Sequence, residues 1–291
     1  MSRTRVLPRE TRSILTRTGG FLHGFTHTLQ PYVGCEFSCS YCYVREMPVQ
    51  KLNPYKLPWS AWISPKLNAV RLLERAGERG SLERARIFCS SSTDPYTPLE
   101  RSLELTRGCL AVMTSHPPEA LVLQTRSPLV TRDRELIARI PSAVVSITIP
   151  TDDESVRRHF EPNSPSLAKR LETLAGLRAA GIRTQAAVAP LLPCNPERLA
   201  EQLDAVADRV VIDDFFRGDG AGGRRSRAAI RQLRELGFER WSRPRYADAA
   251  IEVFRSRLGP GRVGVSERGF NDTAWLRQGP VRVKDASVHE G

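Results

Sequence analysis

From about Leu29 onward, short apolar runs alternate with segments that have helical periodicity. The apolar runs are rich in Val, Ile and Thr and short enough to be β-strands, and they lie at 29–34, 86–91, 120–125, 143–149, 183–189 and 209–213. The segments between them predict helices at about 64–79, 99–114, 131–140, 165–180 and 196–207. Such repetition predicts parallel strands joined by right-handed crossovers. Six units are too few for a complete eight-fold α/β barrel, so the sequence predicts an open, partial one.

The regions on either side of this repeat have their own patterns. The first 26 residues are extended and mostly polar, and the Gly- and Arg-rich stretch 213–227 indicates a loop. Helices are predicted at about 226–236 and 244–257, followed by a strand at 262–266. We therefore predict four parts: an N-terminal extension (1–26), the barrel core (27–215), C-terminal helices and a strand packed on the core (216–279), and a tail (280–291).

The charge of the chain is strongly basic. Its 291 residues include 44 Lys and Arg against 32 Asp and Glu, a formal net charge of +12. This balance favours a phosphate-rich partner such as nucleic acid. Only five of the basic residues are lysine. A preference for arginine across the whole chain often reflects genome composition, which is an alternative explanation of the positive charge. Both interpretations stay open from charge alone.

Membrane and export signals are not apparent in the sequence. The chain has no run of about 18 apolar residues, so no transmembrane helix is expected. Its basic N-terminal segment has no apolar core of the kind that a secretory signal needs. A cytoplasmic protein is expected, and the sequence does not fix its oligomeric state.

Three of the six cysteines form one short motif, Cys35-x3-Cys39-x2-Cys42. Cytosolic cysteines stay reduced, so a disulfide framework is not expected. Thiolates prefer iron–sulfur clusters, zinc or Cu(I). A structural zinc site uses four ligands, usually in two separated pairs, and no matching pair follows here. Three cysteines on a 4Fe–4S cluster leave one iron open, so we favour a cluster over zinc or buried thiols.

This motif, with the aromatic Tyr41 before its last cysteine, resembles the signature of the radical S-adenosylmethionine (SAM) superfamily. Other short sequence motifs in the chain resemble those of its spore photoproduct lyase-like branch, often labelled DNA repair photolyase. These motifs are Thr28–Cys35, Ser92–Glu100, Thr125–Val130, Phe160-Glu161-Pro162, Ala189–Pro193 and Gly269-Phe270-Asn271. The resemblance runs from about residue 24 to residue 272.

The resemblance implies an α/β fold, a partial (β/α)6 barrel of TIM type, with the cluster in the loop after the first strand. It implies a 4Fe–4S cluster and SAM as cofactors, with SAM chelating the open iron. Reductive cleavage of SAM then yields a 5′-deoxyadenosyl radical that abstracts hydrogen from the substrate. An electron donor such as flavodoxin or ferredoxin is expected. The protein holds the reacting atoms close and excludes water and oxygen.

Five more residues are candidates for contacting SAM. Under the resemblance, Tyr41 is expected against the adenine and Arg126, where relatives usually carry Lys, near the SAM carboxylate. Ser146 is expected near the ribose hydroxyls, while Ser92 and Asp94 follow the second strand, where barrel enzymes hold ligands. Structural explanations stay open for each, including a core aromatic, a helix-capping turn and a satisfied interior hydroxyl.

The substrate is not fixed by these motifs. The resemblance and the charge favour nucleic acid, with DNA carrying a thymine-dimer lesion as the most concrete candidate. Modification of RNA, a peptide or a small metabolite is an alternative reaction. A non-catalytic iron–sulfur protein that binds DNA is an alternative of another class.

A hydrogen donor for lesion repair is the last candidate. Photolyases of the family use a cysteine three residues before the Asp of the second-strand motif, and that position is Ser91 here. An alcohol O–H is much stronger than a thiol S–H, so Ser91 does not replace the cysteine. Cys89 lies two residues earlier and is expected on the same face of the strand. We therefore name Cys89 as the candidate donor, with a buried structural thiol as the alternative.

Overall fold

The computed structural model describes residues 4–277. Within this range eleven strands form: β1 (Arg5–Val6), β2 (Leu15–Arg17), β3 (His27–Leu29), β4 (Tyr32–Gly34), β5 (Trp62–Pro65), β6 (Arg86–Cys89), β7 (Ala120–Thr125), β8 (Ala143–Thr148), β9 (Arg183–Val188), β10 (Arg209–Ile212) and β11 (Val263–Val265). The same range contains eleven α-helices: α1 (Ala69–Glu78), α2 (Glu100–Leu103), α3 (Leu105–Ser115), α4 (Arg134–Ala138), α5 (Glu154–Phe160), α6 (Leu167–Ala179), α7 (Pro196–Val206), α8 (Arg227–Glu235), α9 (Asp248–Leu258), α10 (Ser266–Phe270) and α11 (Thr273–Arg277).

The main sheet is an open, partial α/β barrel, as predicted. Its strand order is β11-β10-β9-β8-β7-β6-β3-β2. All neighbours pair in parallel except β2, which is antiparallel to β3. Within the described residues the edge strands β2 and β11 do not pair with each other, so the barrel does not close through hydrogen bonds.

The helices between the parallel strands pack on the outside of this sheet. In α6 the buried residues include Leu167, Leu174 and Leu177, whose spacing puts them on one face of the helix. The Ser166 side chain accepts a hydrogen bond from the Lys169 amide and caps the first turn. Each β-helix-β unit therefore buries an apolar helix face against the sheet and brings the next strand back in parallel.

Two predictions near the first strand were wrong in their bounds. The predicted strand 29–34 is split: β3 belongs to the main sheet, whereas β4 belongs to a small sheet of order β1-β5-β4. Pro31 lies between them and has no amide hydrogen for a ladder bond. The predicted helix 64–79 begins only at Ala69, because Pro65 restricts Ser64 to an extended backbone and β5 occupies Trp62–Pro65.

The bottom of the barrel is filled by the C-terminal part of the described chain. Arg183 and Arg209, both buried, point their guanidinium groups at the Trp275 ring, with distances of 4.3 and 4.9 Å to its centroid. Arg183 also donates from Nη1 to the Leu276 carbonyl at 2.7 Å. Helix α11 therefore seals the end of the barrel opposite the carboxyl ends of the strands.

The four-part division of the chain stays a prediction. The strand β2, which precedes residue 27, and β11, which follows residue 215, both pair with the main sheet. The predicted tail, 280–291, lies outside the described residues. None of the described helices has the length and apolar character needed to cross a membrane.

Candidate functional site

A cavity of about 620 Å³ opens at the carboxyl ends of the parallel strands. This size falls within the usual range for small-ligand sites, and the position is the one that barrel enzymes use. Its wall includes the cysteine loop, the ends of β6, β7 and β8, the loop after β10 and the segment 17–22 before β3.

The three cysteines of the motif all line this cavity. They lie on the loop that follows β4; Cys39 is buried, and Cys35 and Cys42 are half-buried. Arg45 fixes the loop by donating from Nη2 to the Cys39 carbonyl at 2.7 Å and from Nε to the Cys42 carbonyl at 3.1 Å. The loop therefore has its own backbone supports and presents three thiols to one space.

The buried environment of these thiols disfavours their negatively charged thiolate form. Burial raises the pKa of all three, that of Cys39 to about 12. Among residues 4–277 no group of three or more His, Cys, Asp or Glu side chains converges as ligands of a single ion do. Cysteines of a 4Fe–4S cluster bind different irons, so they need not converge on one point. A soft cationic cluster fits a loop of three buried thiols, because it stabilises them as thiolates.

Arg126 follows β7 and joins the cysteine loop to two carboxylates. Its Nη1 atom lies 2.6 Å from Cys39 Sγ and 2.7 Å from Glu161 Oε1. Its main-chain amide donates to Asp94 Oδ2 at 2.9 Å, and its Nε is 4.0 Å from the same oxygen. The side chain is 17% exposed and lines the cavity. The structure therefore brings this candidate directly to the cysteines.

Asp94 is buried at the cavity wall and holds the ends of two strands together. Its Oδ1 accepts hydrogen bonds from Thr125 Oγ1 at 2.6 Å and from the Tyr96 amide at 2.9 Å. Burial raises its pKa, although these donors and Arg126 act against that rise. The turn that the sequence left open is present, since Asp94 accepts from the amide two residues on. It caps no helix, because α2 begins only at Glu100, and the residue also lines the cavity.

Ser92 and Tyr41 both reach the cavity through hydrogen-bonded side chains. Ser92 Oγ donates to Gln30 Oε1, and Gln30 in turn donates to Ser91 Oγ at 3.3 Å. Tyr41 donates its phenolic hydrogen to Glu161 Oε1, and its ring lies 6.4 Å from that of Phe215 between centroids. Both side chains are thus fixed by neighbours before any ligand binds.

Ser146 lies deeper than its proposed role requires. It is fully buried on β8, and its Oγ accepts a hydrogen bond from Gln185 Nε2 at 3.0 Å. The cavity is lined instead by Thr148, two residues further along the same strand, and by Gln124, which donates to Thr148 Oγ1 at 2.8 Å. The satisfied interior hydroxyl that the sequence left open is the arrangement observed.

The expectation that Cys89 faces the barrel interior was wrong. Phe88 and Ser90 line the cavity, whereas Cys89 is 1% exposed and is not among the lining residues. It belongs to the apolar core that contains Cys109 of α3. Strand β6 ends at Cys89, so the alternation of side chains does not continue to Ser91, which also lines the cavity.

Several residues of the site were not predicted from the sequence. Glu161 is a fully buried partner of Arg126 and Tyr41, and the fully buried Arg170 pairs with Glu161 from the other side. The motif Phe160-Glu161-Pro162 was the sequence signal that could have identified Glu161. Asp213 follows β10 and lines the cavity, where burial raises its pKa to about 7. An acidic residue directly after an apolar strand was the signal there.

The loop after β10 is organised by Asp219. Its Oδ1 accepts from the amides of Ala221 and Gly223 at 2.7 and 3.0 Å, and its Oδ2 accepts from those of Arg225 and Ser226 at 2.8 and 3.2 Å. One carboxylate therefore folds the Gly- and Arg-rich stretch into a compact turn. This turn carries Arg225 to the cavity wall.

Sequence comparison identifies one family. The model of the Radical SAM superfamily matches residues 29–201, which is more than half of the chain. An uncharacterized protein of Methanocaldococcus jannaschii is 32% identical over 170 residues, which cover 58% of this chain and 62% of that protein. The chain thus spans about three fifths of the length of that relative.

Solved structures agree in fold. A spore photoproduct lyase complexed with dinucleoside spore photoproduct has a TM-score of 0.61 at 14% identity, covering 90% of this chain and 81% of that one. Streptococcus suis SuiB bound to its precursor peptide SuiA has a TM-score of 0.50 at 12% identity, covering 82% of this chain and 48% of that one. At these identities the likeness establishes the arrangement of the chain alone.

Proposed function

The chain belongs to the radical SAM superfamily, whose cofactors are a 4Fe–4S cluster and SAM, and from that premise we propose that Cys35, Cys39 and Cys42 bind three irons of the cluster. The observation that carries this proposal is that all three thiols and Arg126 line one cavity at the carboxyl ends of the strands. The fourth iron of such a cluster would have no cysteine ligand from this motif and would be the one that binds SAM. We propose an enzyme that starts radical chemistry on a substrate in this cavity.

When bound, the reduced cluster supplies the electron that cleaves SAM into methionine and a 5′-deoxyadenosyl radical. The protein's own contribution is to bind, orient and shield. The cysteine loop is held by Arg45 and by Ser40, whose amide donates to the Phe160 carbonyl at 2.9 Å. A loop fixed in this way keeps the reacting atoms in one geometry, which is where much of an enzyme's rate advantage originates.

Arg126 is proposed to contact the SAM carboxylate. Its Nη1 and main-chain amide already have acceptors, whereas among residues 4–277 its Nη2 has no protein acceptor. A guanidinium N–H that still lacks an acceptor, on a side chain that lines the cavity, is a suitable donor to a carboxylate. Ser92 and Tyr41 are proposed to border the bound SAM, because both lie at the cavity wall. Ser146 is no longer proposed as a ribose contact, since Thr148 lies between it and the cavity along β8.

DNA is the substrate class that we favour. The net charge of +12 supports a polyanion, and Arg17 of β2 and Arg225 of the loop after β10 both line the cavity. The spore photoproduct lyase that shares the fold was solved with a dinucleoside photoproduct. RNA, a peptide or a small metabolite remains the alternative, and the peptide-bound SuiB has the same fold.

Photoproduct repair in the strict sense needs a hydrogen donor near the lesion. The position that carries the donor cysteine in relatives is Ser91, and Cys89 is buried away from the cavity. A related radical reaction on DNA therefore has as much support as lesion repair. The proposed electron donor is a flavodoxin or ferredoxin, and the cytoplasm is the proposed location.

Substrate class is tested by an anaerobic assay of the reconstituted protein with matched oligonucleotides, one containing a thymine photoproduct and one undamaged. Repair or modification of either, detected by mass spectrometry, supports the proposal. Failure to bind either oligonucleotide at low salt removes DNA as the substrate.

The same binding assay identifies the surface that meets DNA. The double variant Arg17→Gln/Arg225→Gln is expected to lower the salt dependence of binding by about two phosphate contacts. The control Arg255→Gln, on the exposed face of α9 in a pair with Glu252, is expected to leave it nearly unchanged. Equal effects in both would mean that the cavity arginines do not contact DNA.

A further inference from the structure

The carboxylate of Glu161 lies between two arginines in the protein interior. Its Oε1 is 2.7 Å from Arg126 Nη1, and its Oε2 accepts from Arg170 Nη2. Glu161 and Arg170 are both fully buried. Burying an ion pair costs free energy unless its remaining polar groups are hydrogen-bonded. The other hydrogen bonds of the two arginines therefore show what this pair holds in position.

Arg170 is the fixed end of this arrangement. Its Nη1 donates to the Thr148 carbonyl at the end of β8, and its Nε donates to the Pro165 carbonyl, each at 3.0 Å. Every nitrogen of this guanidinium therefore has a protein acceptor. Glu161 directly follows α5 and is held by Arg170 as a rigid acceptor.

Arg126 is the end that reaches the cysteine loop. One of its nitrogens, Nη1, is within hydrogen-bond distance of Glu161 Oε1, Tyr41 Oη at 3.2 Å and Cys39 Sγ at 2.6 Å. The Tyr41 hydroxyl donates to the same oxygen of Glu161. The charged partner Glu161 thus decides where the Arg126 guanidinium lies relative to the sulfur, and Tyr41 is a neutral neighbour bonded to the same oxygen.

We propose that Glu161 and Arg170 hold Arg126 as a hydrogen-bond donor to the Cys39 ligand, and that this bond raises the reduction potential of the cluster. The proposal rests on the proposed function, since it takes Cys39 as a cluster ligand. It gives Arg126 a role that is separate from contact with the SAM carboxylate.

The sign of the effect follows from charge. Reduction adds an electron that is shared with the ligand sulfurs, and a guanidinium N–H directed at a sulfur stabilises that extra negative charge. The carboxylates of Glu161 and Asp94 act in the opposite direction. Asp94 Oδ2 lies 4.0 Å from Nε, and neither carboxylate intervenes between Nη1 and the sulfur. The direct contact dominates because Coulomb energy falls with distance and is larger in a buried site.

The first test is a redox titration of the reconstituted cluster without SAM, followed by electron paramagnetic resonance. Arg126→Met removes the donor and keeps the length of the side chain, so the midpoint potential is expected to fall. Arg45→Met is the matched control, because Arg45 donates to the carbonyls of Cys39 and Cys42 and to neither sulfur. Its potential is expected to fall less. A potential in Arg126→Met at or above that of Arg45→Met overturns the proposal.

The positioning role is tested by resonance Raman spectra of the same clusters in H2O and D2O. An N–H···S bond makes an iron–thiolate stretch sensitive to deuterium. The amides of Phe37 and Val44 and the side chain of Trp59 also donate to Cys35 and Cys42, so a residual sensitivity is expected in every variant. Arg126→Met and Glu161→Gln are both expected to lose the part that Arg126 contributes through Cys39, whereas Tyr41→Phe, which leaves the Glu161–Arg126 pair in place, is expected to keep the full wild-type shift. A full wild-type shift in Glu161→Gln overturns the positioning role.

These results distinguish the inference from the function on which it rests. A wild-type protein that assembles no 4Fe–4S cluster contradicts the proposed function and the inference together. A wild-type cluster with normal SAM cleavage, combined with an unchanged potential in Arg126→Met, contradicts the inference alone.

Discussion

The side chain of Asn271 accepts a hydrogen bond at Oδ1 from the main-chain amide of Gly24 at 2.7 Å. Its Nδ2 donates to the carbonyls of Phe21 and Glu267, each at 2.6 Å. These contacts join the segment before β3 to the end of α10, across the side where the edge strands do not pair. The Asn271 side chain therefore links the two sides of the open barrel by hydrogen bonds, where the described edge strands β2 and β11 do not pair.

Gly24→Ala is expected to weaken this closure. A Cβ atom at Gly24 would lie 2.8 Å from Asn271 Cβ and 2.9 Å from its carbonyl oxygen, so the two segments must separate. We expect a loss of about 1–3 kcal/mol in the free energy of unfolding, the usual cost of overpacking. Urea denaturation measures it. Gly19→Ala is the control, because a Cβ there meets nothing within 4 Å; a similar loss in both variants would contradict the closure.

Glu161→Gln is expected to be strongly destabilising. The change removes the charge between Arg126 and Arg170 and leaves the fully buried Arg170 without its carboxylate. Breaking a buried pair in this way costs about 3–5 kcal/mol. Glu252→Gln, which breaks an exposed pair with Arg255 on α9, should change stability by less than about 1 kcal/mol. Urea denaturation of the two variants compares them, and equal losses would argue against the central position of Glu161.

Asp213 is expected to make stability depend on pH near neutrality. Burial raises its pKa to about 7 in the folded protein, whereas an unfolded aspartate titrates near 4. The folded state therefore holds this proton more tightly, and the group's contribution to stability falls as pH rises from about 4 to 7. Asp213→Asn has no carboxyl group to titrate at this position. Its free energy of unfolding should therefore rise relative to that of the wild type between about pH 4 and pH 7, by an amount on the order of 4 kcal/mol.

Asp153→Asn is the matched control of opposite sign for this pH experiment. Asp153 caps α5 by accepting from the Ser155 and Val156 amides, and bonding to Ser155 lowers its pKa. Its stabilising contribution is present above the unfolded pKa and is lost in acid. The free energy of unfolding of Asp153→Asn should therefore drop relative to that of the wild type as pH rises from acid to the unfolded aspartate pKa near 4, and the difference should stay level above it. Parallel pH profiles for the two variants would contradict the assigned burial of Asp213.

The burial of Cys89 predicts a pattern of thiol labelling. In folded apo-protein, iodoacetamide should modify the half-buried Cys35 and Cys42 at the cavity before it modifies Cys89 or Cys109, both of which are at most 1% exposed. Peptide mass mapping over time measures the order. Labelling of Cys89 as fast as that of Cys42 would place its thiol at the cavity and restore it as a candidate hydrogen donor.

The repeat of strands and helices was predictable because each parallel strand is a short apolar run and each crossover helix has an apolar face. The cysteine loop was predictable because its chemistry is local, within eight residues of sequence. The bounds near Pro31 and Pro65 failed where a proline changes the backbone pairing. The small sheet β1-β5-β4 depends on contacts between distant segments, which periodicity does not report.

The remaining parts of the site depend on three-dimensional packing. The contact between Arg126 and Glu161 joins the end of β7 to the residue after α5, and no spacing rule connects them. The face of Cys89 depends on where β6 ends, and strand ends are the least certain feature of a sequence pattern. Ser146 and Thr148 lie on the same face of β8, and only the depth of the cavity separates the buried residue from the lining one.

Formation of 5′-deoxyadenosine tests the account most directly. Anaerobically reconstituted wild-type protein, reduced with dithionite and supplied with SAM, is expected to contain about four irons per chain and to release 5′-deoxyadenosine, measured by liquid chromatography and mass spectrometry. Cys39→Ala is expected to lose the cluster and the product, whereas Cys194→Ala, a thiol away from the cavity lining, is expected to keep both. No product from a fully loaded wild-type protein, or undiminished product from Cys39→Ala, would contradict the assignment.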